Sequence, residues 1–179
     1  MILVLTGPVH GGKTTFLERS LARWASRGIA PGGFLSVAAT GASGAAGYDL
    51  LELKTGSRYP YLRREGEPGA ERSGPFFFVP STLERAQSVI READPRELLI
   101  VDEVGPLELR GGGLWPVLPE ALSRPGMKCL LVVREEILAD VVAALGPHEP
   151  LIFDVRDPDV QKLLDGSLLG TVKADDGQS

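Results

Sequence analysis

Met1-Ile2-Leu3-Val4-Leu5-Thr6-Gly7-Pro8-Val9-His10-Gly11-Gly12-Lys13-Thr14-Thr15 opens the chain, and its reading decides the fold. The first six residues form a short continuous apolar run, the pattern of a strand buried on both faces of a parallel sheet. Gly7 to Thr14 fits G-x-x-x-x-G-K-S/T. Beyond it, Phe16, Leu17, Leu21 and Trp24 recur at helical spacing, and Gly28 is placed to end that helix in the left-handed conformation. Strand, loop and helix in this order are the context in which the pattern carries chemistry. The glycines let successive N–H groups curl inward on phosphate oxygens, and the dipole of the following helix favours negative charge. The expected phosphate contacts therefore run from Gly7 through Pro8, Val9, His10, Gly11, Gly12 and Lys13 to Thr14, with Thr15 adding one more. Lys13 is expected to reach the β- and γ-phosphates, and the Thr14 hydroxyl to ligate Mg2+, whose shell favours hard oxygen donors. His10 contributes backbone rather than ring. The plain alternative, an accidental glycine-rich turn with a solvated lysine, does not account for the flanking strand and helix.

Working outward, 179 residues with 43% hydrophobic and 24% charged content describe one globular domain, expected over 1–172 with a frayed polar tail over 173–179. No apolar run reaches the roughly 18 residues of a membrane span, and the opening apolar stretch is too short for a signal peptide, so a cytoplasmic location is expected. The lone cysteine, Cys129, and two histidines make neither an internal disulfide nor a convincing zinc set. A net charge of -5 disfavours non-specific binding to nucleic acid. A monomer is the favoured state, and a small acidic metabolite stays open as a partner.

A second feature carries chemistry. Leu98-Leu99-Ile100-Val101-Asp102-Glu103 reads as a buried strand with two carboxylates at its C-terminal end, the side of an open α/β sheet where ligands bind. Asp102 is expected to hold Mg2+ through water. Glu103 is placed to polarise an attacking water, which a hydrolase needs. The nucleotide-site stretch is taken to run from Leu98 to Val104 and Gly105. Two solvated carboxylates at a strand end are the alternative, disfavoured by the loop upstream.

The remaining elements complete an α/β fold of three layers, a P-loop NTPase fold with a mostly parallel central sheet flanked by helices. A β-hairpin insertion is expected around 33–55, with strands over Gly33–Thr40 and Tyr48–Thr55 and a turn over Gly41–Gly47. The stretch 56–74 reads mostly as loop and carries Arg58, Arg63, Arg64 and Arg72. Phe76–Val79 reads as a strand, and Ser81 with Glu84 as a capping box ahead of a helix stopped by Asp94 and Pro95. A helix is expected over Leu114–Leu122 despite Pro116 and Pro119. Cys129–Val133 is another buried strand, followed by a helix closed by Gly146. A last strand is expected over Leu151–Val155, then a helix with Pro158 in its first turn and running through Leu164.

Taken together, GPVHGGKTT at 7–15, GGF at 32–34, GYDLLEL at 47–53 and above all IVDEVGPLEL at 100–109 resemble the thermophilic-type nucleoside-triphosphatases, a family with a human, cancer-related member. The resemblance covers most of the chain. It implies a RecA-like or kinase-like fold, slow hydrolysis of ATP, GTP and other triphosphates, and a strand at 129–133 lying between the two motif strands. That placement would set Arg134 beside the γ-phosphate, where a cation stabilises transferred charge; a surface pairing with Glu135 or Glu136 is equally compatible. It also implies a role near the metal for Glu108, whose alternative is a helix start. Among the arginines of 56–74, Arg63 is the preferred candidate to close over the triphosphate as a lid, with a solvated loop as the alternative. Two elements depart from the family pattern, Ala45-Ala46 before Gly47 and Gly74-Pro75-Phe76, and both bear on the base or acceptor side. Trp24 and Trp115 read as packing residues.

Three functions stay open: a hydrolase of free nucleoside triphosphates, a small-molecule or nucleotide kinase using the same loop, and a partner-gated accessory ATPase. A small sheet-edge pocket would support the kinase. An exposed apolar patch would support the accessory ATPase. An Asn-Lys-x-Asp string, which selects guanine, is absent.

Overall fold

In the computed structural model, which describes residues 1–41 and 44–170, nine strands among those residues form one sheet. Its parallel half is built from β1 (Ile2–Gly7), β2 (Pro31–Gly41), β7 (Leu98–Val104), β8 (Lys128–Arg134) and β9 (Leu151–Asp154). Its antiparallel half adds β3 (Gly44–Glu52), β4 (Arg58–Arg63), β5 (Arg72–Ser73) and β6 (Phe76–Phe78). The order across the sheet is β5-β6-β4-β3-β2-β7-β8-β1-β9, so β8 does lie between the two motif strands, β1 and β7.

Side chains on a strand alternate between faces, and here both faces are covered. Ile2 and Val4 join Leu99, Val101, Leu131 and Val133 in one core. That core packs against α2 (Pro80–Arg91), α3 (Leu118–Leu122) and α4 (Leu138–Ala144), which contribute Ile90, Leu118 and Val141. Leu3 and Leu5 join Ile100, Leu130 and Val132 in the second core. There α1 (Lys13–Ala25) supplies Leu17 and Trp24, and α5 (Val160–Leu169) supplies Val160, Leu164 and Leu168. The three-layer α/β architecture is thus the one its apolar runs predict. Trp24 is fully buried and Trp115 partly buried, both as packing residues. Cys129 is buried in β8.

Gly33 shows why the hairpin sits where it does. Its φ is +83°, and a Cβ there would fall 2.0 Å from the Ile100 carbonyl oxygen, so only glycine lets β2 lie against β7 at this point. The hairpin itself is longer than expected, with pairing running from Phe34↔Glu52 to Gly41↔Gly44. Part of the turn placed at Gly41–Gly47, and the tail placed at 173–179, lie outside the described residues.

Three expectations are corrected, and a fourth is refined. The stretch 56–74 is mostly loop, as expected, but it also carries β4 and β5. Pro60 hides the strand from pattern reading, yet it sits opposite Asp49 at a register irregularity, where a missing N–H is tolerated. Ser81 does not cap α2. That helix starts at Pro80, whose fixed φ suits the first turn, and the cap position, Val79, has no side-chain acceptor with which to make a capping bond. The helix expected from Leu114 begins only at Leu118, with Pro119 in its first turn. Finally, α5 starts two residues after Pro158 and runs on to Leu169, where Gly170 ends it at φ +69°. No helix among the described residues is long and apolar enough to cross a membrane.

Candidate nucleotide site

The loop between β1 and α1 is held in shape by its own backbone. Gly11 N donates to Pro8 O at 3.0 Å, and Phe16 N donates to Gly12 O at 2.8 Å as the helix begins. Gly12, the residue before α1, has φ +83°, and His10, exposed, has φ +58°. Lys13 is 6% exposed and folds back, its Nζ donating to Gly7 O at 2.9 Å and to Pro8 O at 2.8 Å. The ammonium thus rests on loop carbonyls, inside the curve that phosphate oxygens would enter.

Parallel pairing of β1, β8 and β7 puts their C-terminal ends side by side, which delivers the second set of groups. Thr14 Oγ1 donates to Asp102 Oδ2 at 2.7 Å, and Ser36 N reaches the same oxygen at 3.4 Å. Asp102 is 2% exposed. Burial pushes its carboxyl up to about 7, with the Thr14 hydroxyl pulling the other way and Glu103 adding to the rise. At the next position Glu103 is half-buried and accepts from Arg134 Nε at 2.6 Å. Arg134 ends β8, while Glu135 is taken by Arg156 at 2.8 Å. Of the two pairings open from sequence, neither forms: the partner of Arg134 is Glu103.

A cavity of about 680 Å3 joins these groups. At one end the loop from Val9 to Thr15 lines it, then Asp102, Glu103 and Arg134, and at the far end Tyr48, Tyr61, Phe76 and Phe78. Gly7 and Pro8 take part through the carbonyls that hold Lys13. Leu98, Leu99, Ile100 and Val101 do not reach the cavity, and neither does Val104. They are buried in the two cores, because alternate strand side chains are consumed by packing, so the strand carries the site without lining it. Glu108 starts a single 3-10 turn, Glu108–Arg110, and lines the cavity wall. It accepts from Gly105 N at 2.8 Å and Leu114 N at 3.1 Å, stapling the loop after β7, and burial raises its carboxyl above the ordinary value.

Arg63 is corrected as a lid. Its guanidinium donates to Asp49 Oδ1 at 2.5 Å and to Tyr48 O at 2.6 Å, which ties it to the sheet, and it does not line the cavity. Arg58, exposed and on the same strand, does. Sequence reasoning missed Ser36, Tyr48, Tyr61, Phe76 and Phe78. The aromatic alternation Tyr59-Pro60-Tyr61 and the Phe76-Phe77-Phe78 run were the signals, obscured by proline and by the flanking glycines.

Thr14 and Asp102 fit a divalent cation of the Mg2+ type. Their oxygens already meet, and a cation there would relieve the cost of burying the carboxylate. Among the described residues no group of three or more histidine, cysteine, aspartate or glutamate side chains gathers to hold a metal. That suits an ion whose remaining ligands are water and phosphate oxygens.

A model of the NTPase family matches residues 2–165. The chain belongs to that family. Among members of the NTPase family, the nucleoside-triphosphatase THEP1 of Methanopyrus kandleri is 32% identical over 155 residues, covering 86% of this chain and 84% of that one. THEP1 of Hyperthermus butylicus is 30% identical over 138 residues, or 75% and 72% of the two chains. In three dimensions the chain is similar to a human cancer-related nucleoside triphosphatase, with a TM-score of 0.73, 27% identity, and 95% and 96% of the two chains covered. THEP1 from Aquifex aeolicus shares the fold, with a TM-score of 0.64 at 17% identity over 92% and 98% of the two chains. The loop and the Asp102-Glu103 pair both fall inside the stretch that the family model matches.

Proposed function

We propose that the chain hydrolyses nucleoside 5'-triphosphates to diphosphate and phosphate, with Mg2+ and without strong preference for the base. The observation that carries this reading is the meeting of loop and strand end in one cavity: Lys13 and Thr14 from one side, Asp102, Glu103 and Arg134 from the other. The loop's N–H groups hold the α- and β-phosphates, and Lys13 leaves the Gly7 and Pro8 carbonyls for the β- and γ-phosphates. Thr14 would hold Mg2+ with its hydroxyl and Asp102 would hold it through water; when bound, the ion would offset charge building up on the phosphate oxygens. Glu103 orients a water and takes its proton as the oxygen attacks the γ-phosphorus. Arg134, drawn from Glu103 toward the γ-phosphate, stabilises the transferred charge, which frees the glutamate at the moment it is needed.

Phosphate release from ATP, GTP, CTP and UTP, measured with Mg2+ and without a second substrate, tests this. Steady release from several of them that collapses in Glu103→Gln is expected. Release unaffected by that substitution removes Glu103 from the role, and binding of all four without release removes hydrolysis itself.

A further inference from the structure

The cavity extends beyond Asp102, Glu103 and Arg134. Past Glu103 it opens into a compartment walled by Tyr48, Tyr61, Phe76 and Phe78, and exposed Arg58 also lines the cavity. The aromatic rings brace one another edge to face: Tyr48 and Phe76 lie 5.4 Å apart between centroids, and Tyr61 and Phe78 5.1 Å. Tyr61 is 2% exposed and lines the cavity, and its hydroxyl makes no hydrogen bond among the described residues; the buried side-chain atom left without a partner among them is Thr6 Oγ1, so the phenol oxygen is open to the cavity rather than sealed in the core. The carboxylates of Glu108 and Asp102 lie close enough to act on it. Braced aromatic walls with a phenol hydroxyl open to the space between them are the features of a small-molecule pocket.

Direction decides what enters. The loop fixes the polarity of the triphosphate, with α- and β-phosphates on its N–H groups and the γ-phosphate toward Glu103 and Arg134. Base and sugar leave from the α-phosphate end. The aromatic walls stand on β3, β4 and β6, beyond β7 on the side of the sheet away from β1. A ring in that compartment faces the γ-phosphate and belongs to a second molecule.

We propose that this compartment is an acceptor subsite for an uncharged, ring-bearing alcohol of nucleoside size, to which the γ-phosphoryl group is transferred. The ring lies between the aromatic walls, and the Tyr61 hydroxyl bonds its polar edge. The alcohol oxygen attacks the γ-phosphorus, and the bond from that phosphorus to the β,γ-bridging oxygen breaks. The nucleoside diphosphate leaves with the bond's electron pair, and the alcohol's proton passes to Glu103. Water in the same place gives hydrolysis, so the subsite rests on the nucleotide site proposed above and adds a second outcome to it.

The test uses the full chain with Mg2+ and thymidine, inosine and pyridoxine as probes. Saturation-transfer NMR in the presence of the non-hydrolysable analogue AMP-PNP is expected to show at least one probe bound beside the nucleotide. With γ-labelled ATP the label is expected in that probe's phosphate ester. Tyr61→Phe removes only the hydroxyl and is expected to weaken the probe about tenfold, the size of one hydrogen bond. Ala38→Phe, at an exposed cavity-lining position, is expected to abolish probe binding by filling the space. Both variants are expected to keep phosphate release from ATP within about twofold. Absence of binding by all three probes, binding untouched by both substitutions, or displacement of the probe by AMP-PNP each overturns the subsite, the last by giving the compartment to the nucleotide's own base. Binding without labelled ester overturns the transfer step. Loss of hydrolysis with probe binding intact beside AMP-PNP strikes the hydrolase reading alone and leaves the subsite standing.

Discussion

Arg134 Nε lies 2.6 Å from Glu103 Oε1, so the two groups expected to act on opposite sides of the γ-phosphate neutralise each other before substrate arrives. Both side chains are about a third exposed, at 36% and 27%, and the ion pair contributes on the order of 0–1 kcal/mol to stability. Its importance is for turnover. Glu103→Gln is expected to slow kcat by about a hundredfold or more with nucleotide affinity retained. Arg134→Ala is expected to lower kcat by a similar order, because the cation acts on charge that develops only in the transition state. A kcat drop with KM nearly unchanged in both, from steady-state phosphate release, is the signature. A stability loss with normal kcat would make the pair merely structural.

Lys13 makes its two bonds to Gly7 O and Pro8 O from a nearly buried position, so its charge cannot be replaced from solvent. Lys13→Ala is expected to abolish tight triphosphate binding, read by titration with a fluorescent nucleotide, while the far-UV circular dichroism spectrum stays that of the parent. Retained affinity would show that the backbone cradle suffices alone.

Among the described residues Thr14 is the one hydroxyl bonded to Asp102, at 2.7 Å. Thr14→Val keeps the shape and removes the oxygen. The Mg2+ concentration giving half-maximal phosphate release is expected to rise by about tenfold or more, the range seen when groups that orient a metal site are lost. An unchanged Mg2+ requirement would move the ion away from this oxygen.

The parallel half of the sheet was legible because its strands are short apolar runs and its ligand groups sit at their ends, where period and chemistry coincide. The far half of the site was not. Tyr61 lies one residue past Pro60 in a stretch whose arginines and glycines read as loop, and only pairing with β3 and β6 makes it a strand. Arg63 looked like a free cation in sequence, but Asp49 meets it across the sheet, a contact set by the register of β3 and β4. Leu98 to Val101 were read with the site because they precede its carboxylates, whereas packing on both faces of β7 consumes them. Local pattern thus located the glycine-rich loop and the strand-end carboxylates, and long-range pairing built the compartment beyond them.

Asp165 gathers α1 onto α5, and it offers a test of stability separate from catalysis. Its carboxylate accepts from Trp24 Nε1 at 2.9 Å, Arg23 Nε at 2.7 Å, Arg27 Nη1 at 3.0 Å and Gln161 Nε2 at 2.8 Å. Burial alone would raise this carboxyl, but the bonds from Trp24, Gln161 and Arg23 outweigh it and hold it below its ordinary value. A group depressed in the folded state contributes stability that is fully present above the unfolded carboxylate's pKa and is lost as pH falls through the folded one. Asp165→Asn removes the charge and leaves an amide NH2 facing donors, at a cost of about 2 kcal/mol, because Trp24 and the arginines lose a charged acceptor. For a chain of this length that lowers Tm by about 4–8 °C at neutral pH. The difference from the parent should shrink as acid protonates Asp165 in the parent, which thermal melts between neutral pH and the acid range would follow. A difference that holds constant down to the lowest pH would show that the substitution acts through packing rather than through the carboxylate.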